Sequence, residues 1–308
     1  MKEEKAPFKT DTSVVSSELV QAAEMGFASA QWQVGDALYK AENYGQAFYW
    51  IDRAAQKGIL PAMVALGYLY LNGLGTLVNE KRAFQWTAKA ALKDDPVAQL
   101  NLGLQYFHGQ GVDKNDNAAL HWLRLSAEAG NHDAIRFVAF FYENGIAAEP
   151  SDDVAFKWYK KAADDGDIHA MVELGHCYEE GRGVAADPIV ALDLYRRASD
   201  LGESKADLAL GYLYLKGSGM ISPDPKRASE YLQKASIEGE VEARRLYGEM
   251  LIKEGHDMIA AFFWIKLAAD SGDRIARITL KRFGPDYTWA LAESHMRNLY
   301  GYVIGPAQ

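Results

Sequence analysis

Four Gly-x-Gly triplets are the first residues whose type and spacing could do chemistry: Gly73-Leu74-Gly75, Gly109-Gln110-Gly111, Gly181-Arg182-Gly183 and Gly217-Ser218-Gly219. A phosphate-binding loop sets such glycines between a strand and a helix N-terminus, so that main-chain N–H groups face the anion. The stretch GQGVDK at 109–114 even ends in a lysine. Here each triplet follows a helical pattern and recurs in phase with a longer period. They read as structural turns, and no cofactor is expected.

The seven histidines are His108, His121, His132, His169, His176, His256 and His295. None forms a His-x-x-x-His or Cys/His ligand spacing. His169 and His176 share one side of a helix beside Cys177, but two ligands on one helix rarely hold a metal without a third. No metal is expected. Acidic pairs such as Asp152-Asp153, Asp164-Asp165 and Glu179-Glu180 could suggest the two carboxylates of glycoside chemistry. They fall at helix ends and loops and read as solvated surface. No residue stands in a nucleophile motif of the G-x-S-x-G kind.

The elements that carry these residues are set by a repeat. Trp50, Trp86, Trp122 and Trp158 recur at a fixed spacing, followed in register by Leu194, Tyr231 and Trp264. Four residues on from each comes a small pair, from Ala54-Ala55 to Ala268-Ala269. Three residues later stands Gly58, Asp94, Gly130, Gly166, Gly202, Gly239 or Gly272, where a helix can end in the left-handed conformation. Asp94 is among the residues that tolerate it. A second series, Gly35, Gly67, Gly103, Ala139, Gly175, Gly211 and Gly248, lies inside an apolar helical face and lets a paired helix approach closely.

Two helices per repeat follow, with the Gly-x-Gly turn between them. Asn79, Asp116, Asp187 and Asp224 are placed to cap the second helices. Residues 19–26 read as a lone second helix before the first repeat. After Arg274, two last helices are expected to cover the array with Trp289, Leu291, Met296 and Leu299. Bulk at Gly103 or Gly211 is expected to cost more than bulk at the loop residue Gly111.

The fifth repeat shows the pattern in full: Ala170, Leu174-Gly175, Tyr178, Gly181-Arg182-Gly183-Val184, Asp187, Ala191, Tyr195, Ala198-Ser199 and Gly202. This resembles the Sel-one-like repeat, a relative of the tetratricopeptide repeat with a longer inter-helix loop. The resemblance covers roughly residues 19–285. It implies an all-α, right-handed superhelical α/α solenoid of about seven helix-turn-helix repeats with terminal capping helices. It also implies an adaptor or scaffold, or an immunity protein that neutralises a secreted toxin. The expected domains are a flexible N-terminal tail over 1–17, the solenoid over 18–285, and a capping helix and tail over 286–308.

Composition agrees with that reading. Hydrophobic residues make up 49% and aromatics 12% of the 308 residues, enough for a continuous core. The net charge of −9 argues against a nucleic-acid partner, which calls for a basic stripe. From Glu143 to Glu203 there are fourteen acidic and six basic residues, so the middle is acidic. No stretch is long and apolar enough to span a membrane. The N-terminal MKEEKAPFKTDTSVVSS does not read as a signal peptide. One cysteine, Cys177, excludes an internal disulfide framework and fits the cytoplasm or the periplasm.

In a solenoid of helix pairs the first helices line the concave face. The position after each core glycine gives Asp36, Tyr68, Leu104, Phe140, His176, Tyr212 and Glu249. Aromatic residues thus gather toward the middle of the array. Tyr68, Asn101, Arg136, Phe137, Phe140, Glu173, His176 and Tyr212 are the expected contacts for a protein or peptide partner. Packing between neighbouring first helices is the alternative account of the same residues. The expected function is a non-enzymatic protein–protein interaction scaffold, monomeric when alone. The rival is an enzyme or small-ligand binder that uses the groove as a pocket.

Overall fold

Helix after helix begins on a short polar side chain and ends on a left-handed residue, so the punctuation in the sequence becomes the punctuation of the fold. The computed structural model describes Phe8, Thr10, Asp11, residues 13–255 and residues 257–300. His256 and the expected tail at 301–308 lie outside the described residues, as does the Leu299 side chain. The described residues form an all-α solenoid of seven repeats. They divide into two compact units, Met1–Trp158 and Tyr159–Gln308.

The first unit holds α1 (Ser17–Glu24), α2 (Ala28–Lys40), α3 (Tyr44–Gln56), α4 (Leu60–Asn72), α5 (Glu80–Ala91), α6 (Pro96–His108), α7 (Asp116–Glu128) and α8 (His132–Glu143). The cut falls inside α9 (Asp152–Asp164). The second unit continues with α10 (Ile168–Glu180), α11 (Pro188–Asp200), α12 (Ser204–Lys216), α13 (Pro225–Glu238), α14 (Val241–Glu254), α15 (Met258–Asp270), α16 (Arg274–Leu280) and α17 (Trp289–Tyr300). Even-numbered helices up to α14 open the repeats. Of these, α2, α4, α6, α10, α12 and α14 each pack on the helix that follows, with the core between them.

The core glycines set how closely those pairs approach. A Cβ on Gly35, Gly67, Gly103, Gly175, Gly211 or Gly248 would lie 2.4–2.8 Å from Ile51, Thr87, Leu123, Tyr195, Leu232 or Ile265 respectively. Every residue of the helix-end series from Gly58 to Gly272, Asp94 included, has positive φ, as the sequence led us to expect. Capping differs in one repeat. Asn115, not Asp116, accepts the N–H of Ala118, and Asp116 is the first residue of α7. Asn79, Asp187 and Asp224 cap α5, α11 and α13 as expected. Asp95, Asn131, Asp167 and Asp273 do the same for α6, α8, α10 and α16.

The loop glycines are more constrained than their position on the surface suggests. Gly111 has φ +74°, and a Cβ there would lie 2.1 Å from the carbonyl oxygen of Glu80, the first residue of α5. Gly75 meets Tyr44 at the start of α3 in the same way, at 2.0 Å. The second glycine of each of these loops therefore seats one repeat on the one before it. The expectation that Gly111 tolerates bulk better than Gly103 is overturned, because main chain cannot swing aside as the Leu123 side chain can. In the fourth repeat Ala147 takes this place at φ +59°, so the turn is kept without its glycine.

A second joint recurs at the fourth residue of the first helices. Gln31 donates to the Ala23 carbonyl at 3.1 Å, Gln99 to Ala91 at 3.5 Å, Arg244 to Ser236 at 3.1 Å and Arg277 to Ala269 at 3.1 Å. Each adds a second donor to a carbonyl at the end of the preceding helix, which already accepts the main-chain N–H three residues on. Asp207 varies the theme. Fully buried, it accepts from Ser199 Oγ at 2.5 Å and pairs with Lys234 at 3.0 Å.

Both ends depart from expectation. The segment expected as a flexible tail packs on α3 where it is described: Trp50 donates to Thr10 Oγ1 at 3.3 Å, Phe8 stands edge-on to Tyr49, and Val15 is buried. At the other end α17 packs on α15, with Met296 buried and Trp289 stacked on Phe263 at 5.1 Å. Leu291 is exposed, and Ala292 fills the contact instead.

Candidate partner-binding face

In the first unit, α2, α4 and α6 enclose a depression of about 410 Å³. Its walls are mostly apolar or aromatic: Trp32, Tyr39, Val64, Tyr68 and Val97, with Asp36, Asp95 and Asn101 as polar members. Tyr68 is 48% exposed and Val97 is likewise exposed, so this face presents rings and aliphatic carbon to solvent. Burial, and then the nearby Tyr68 hydroxyl, push the Tyr39 phenol above its ordinary value. Asp36 holds Lys40 at 2.7 Å one turn along α2. A second, more polar depression of about 310 Å³ lies between α4 and α6. Tyr68 and Asn101 line both, so they form the ridge between the two.

Two of the expected contacts, Tyr68 and Asn101, are therefore brought together. Arg136, Phe137 and Phe140 lie on α8 of the same unit. Phe140 is 40% exposed and stands edge-on to buried Phe141, Phe137 is half-buried, and Arg136 pairs with Asp133. Trp32, Tyr39 and Val97 were not foreseen. Trp32, three residues before the core glycine Gly35, is half-buried and forms a wall.

The remaining three contacts belong to the second unit. His176 Nδ1 lies 2.8 Å from the hydroxyl of buried Tyr195, which donates to Glu179 Oε2 at 2.8 Å. With the single hydroxyl proton on Glu179, His176 must donate from Nδ1. Burial, then Glu179, drives the Tyr195 phenol far above its ordinary range. Glu173 sits one turn before His176 on α10. Tyr212 donates to Glu242, and Lys216 stands over its ring at 5.2 Å. Burial and then the Glu242 carboxylate push its phenol up to about 12. Arg245, almost buried, binds Glu242, Glu249 and Asp273 at 3.0–3.2 Å. His169, once weighed beside His176, pairs instead with Glu203 at 2.6 Å. Among the described residues no three His, Cys, Asp or Glu side chains converge on a metal site, and no helix is long and apolar enough to cross a membrane.

Helix pairs of this geometry with an exposed first-helix face define a repeat scaffold. The Sel1 repeat model matches seven times, at residues 28–59, 60–95, 96–131, 132–167, 168–203, 204–240 and 243–273, and the chain belongs to that family. A Sel1 repeat protein from Oxalobacter formigenes is 32% identical, with a TM-score of 0.70 over 77% of this chain and 96% of its own. A protective antigen of uropathogenic Escherichia coli with this fold is 25% identical, with a TM-score of 0.54 over 91% of this chain and 70% of its own. An immunity protein from Pseudomonas aeruginosa is 22% identical, with a TM-score of 0.43 over 68% of this chain and 80% of its own. No curated protein matches the chain. Sel1 repeat proteins generally mediate protein–protein interaction.

Proposed function

We propose that this protein is a non-enzymatic scaffold that holds a protein partner on its first-helix face. The observation that carries the reading is the depression lined by Trp32, Tyr39, Val64, Tyr68 and Val97, where rings stand exposed around a few polar groups. Buried contacts with aromatic anchors supply most of the energy of protein recognition, and polar neighbours fix orientation. Asn101, Arg136, Phe137 and Phe140 extend this face along the first unit. Glu173, His176 and Tyr212 give the second unit its own polar and aromatic surface. An adaptor and an immunity protein would use the same surface.

The test is affinity capture from the native host with the wild type and with Tyr68→Ala. A partner retained by the wild type and lost by the variant supports the reading. The role as an immunity protein is tested by whether the captured partner is a toxin whose action the protein blocks. A partner that survives Tyr68→Ala and Phe140→Ala but is lost on reversing Lys157 and Lys161, on α9, would move the binding site to the second helices.

A further inference from the structure

The residues that face the core glycines are Ile51, Thr87, Leu123, Tyr195, Leu232 and Ile265, and Thr87 alone is small and polar among them. Two residues beyond each core position stand Ala37, Leu69, Gln105, Phe141, Cys177, Leu213 and Met250. Gln105 is the one amide in that series, and like its buried counterparts it is almost wholly inside, at 3% exposed. Its Oε1 has no hydrogen-bond partner among the described residues. An unsatisfied buried amide costs stability, and an apolar residue would serve the core better. Both exceptions line the same depression between α4 and α6, beside Asn101, His108 and Gln110. Two independent departures from the repeat thus converge on one place, and local rules are most often broken where function requires it.

We propose that this depression recognises a primary carboxamide, the side chain of an asparagine or glutamine in the bound segment of the partner. The inference rests on the first-helix face being the binding face. No Asp, Glu, Lys or Arg lines the depression, so its groups match a neutral ligand that both donates and accepts hydrogen bonds. A carboxamide does both. The adjoining depression, across the ridge of Tyr68 and Asn101, takes an apolar side chain of the same segment. Neighbouring helices pack about 8–10 Å apart, a distance that extended chain covers in about three residues. The motif is therefore an apolar anchor and a carboxamide about three residues apart.

A random-peptide phage library selected on the full chain tests this. The wild type should enrich Asn or Gln at a fixed spacing from a large apolar residue. Selection on Gln105→Leu with Thr87→Val, which restores the apolar pattern, should keep the apolar anchor and lose the carboxamide. The enriched peptide should bind the double variant about tenfold more weakly, the loss of roughly one well-made hydrogen bond. Gln105→Met serves if the leucine variant melts early. Enrichment of the anchor alone, or a carboxamide preference that persists in the variant, overturns this inference and leaves the binding face standing. Peptides indifferent to Tyr68→Ala, or no enrichment at all, would overturn both.

Discussion

A Cβ placed on Gly175 would lie 2.4 Å from Cε1 of Tyr195, so the ring occupies the space that any side chain at 175 would need. The Tyr195 hydroxyl is at the same time fixed by His176 and Glu179. The ring cannot give way without breaking those contacts. Gly175→Ala should therefore cost about 2–3 kcal/mol, at the upper end for one added carbon in a packed core. Tyr195→Leu, which frees the ring space and the hydroxyl contacts together, should make the effect of Gly175→Ala smaller. A double-mutant cycle in urea measures the coupling, and strict additivity would mean that the two residues do not constrain each other.

The loop glycines allow strain to be separated from collision. Gly130 has positive φ and nothing within reach of a Cβ, so Gly130→Ala should cost only the left-handed penalty, about 1–2 kcal/mol. Gly111→Ala adds a main-chain collision and should cost about 1–3 kcal/mol more. Ala147→Gly runs the other way and should stabilise by about 1 kcal/mol. Thermal unfolding of the three variants checks the order.

The buried carboxylate of Asp207 depends on Lys234. Lys234→Met should destabilise by about 3 kcal/mol, because it leaves a charge inside without its cation. Adding Asp207→Leu should recover much of the loss. If Lys234→Met alone is neutral, the pair does not hold α12 and α13 together.

Tyr68 and Phe140 are exposed, so cutting either back to alanine should leave the melting temperature nearly unchanged. Tyr212 differs, since its hydroxyl is tied to Glu242. Tyr212→Phe should cost about 1 kcal/mol. A large loss at Tyr68 or Phe140 would place those rings in the core.

The Tyr212 phenol, held up to about 12, keeps its proton in the folded chain where an unfolded tyrosine loses it near 10. The folded state then binds more protons between those values. The stabilisation is fully present below pH 10 and fades as pH rises toward 12. Tyr212→Phe should flatten that part of the stability profile. An unchanged slope would show that the hydroxyl is not held.

The repeat, the glycine faces and the left-handed helix ends were legible because each depends on one residue type at a fixed spacing. Asp94 could be placed in a glycine series for the same reason. Gln31, Gln99, Arg244 and Arg277 were not legible as joints, since only a docked neighbour turns a polar residue at a helix start into a donor for the carbonyl eight residues back. Trp32 was missed for a related reason. Its type gives no clue to whether the adjacent first helix leaves the ring partly open. Gly111 looked permissive because the carbonyl that confines it comes from the preceding repeat.

Those returning donors have a consequence for how such a chain can lengthen or shorten. The acceptor is always main chain, at the second of the two small residues, and so it is the same chemical group whatever sequence stands upstream. A joint of this kind does not discriminate between neighbours. A repeat whose first helix brings its own donor can be duplicated, deleted or transplanted without a matching change in the repeat before it. The seams closed in this way are interchangeable fittings, and there a copy can change its exposed face without a matching change in the repeat before it.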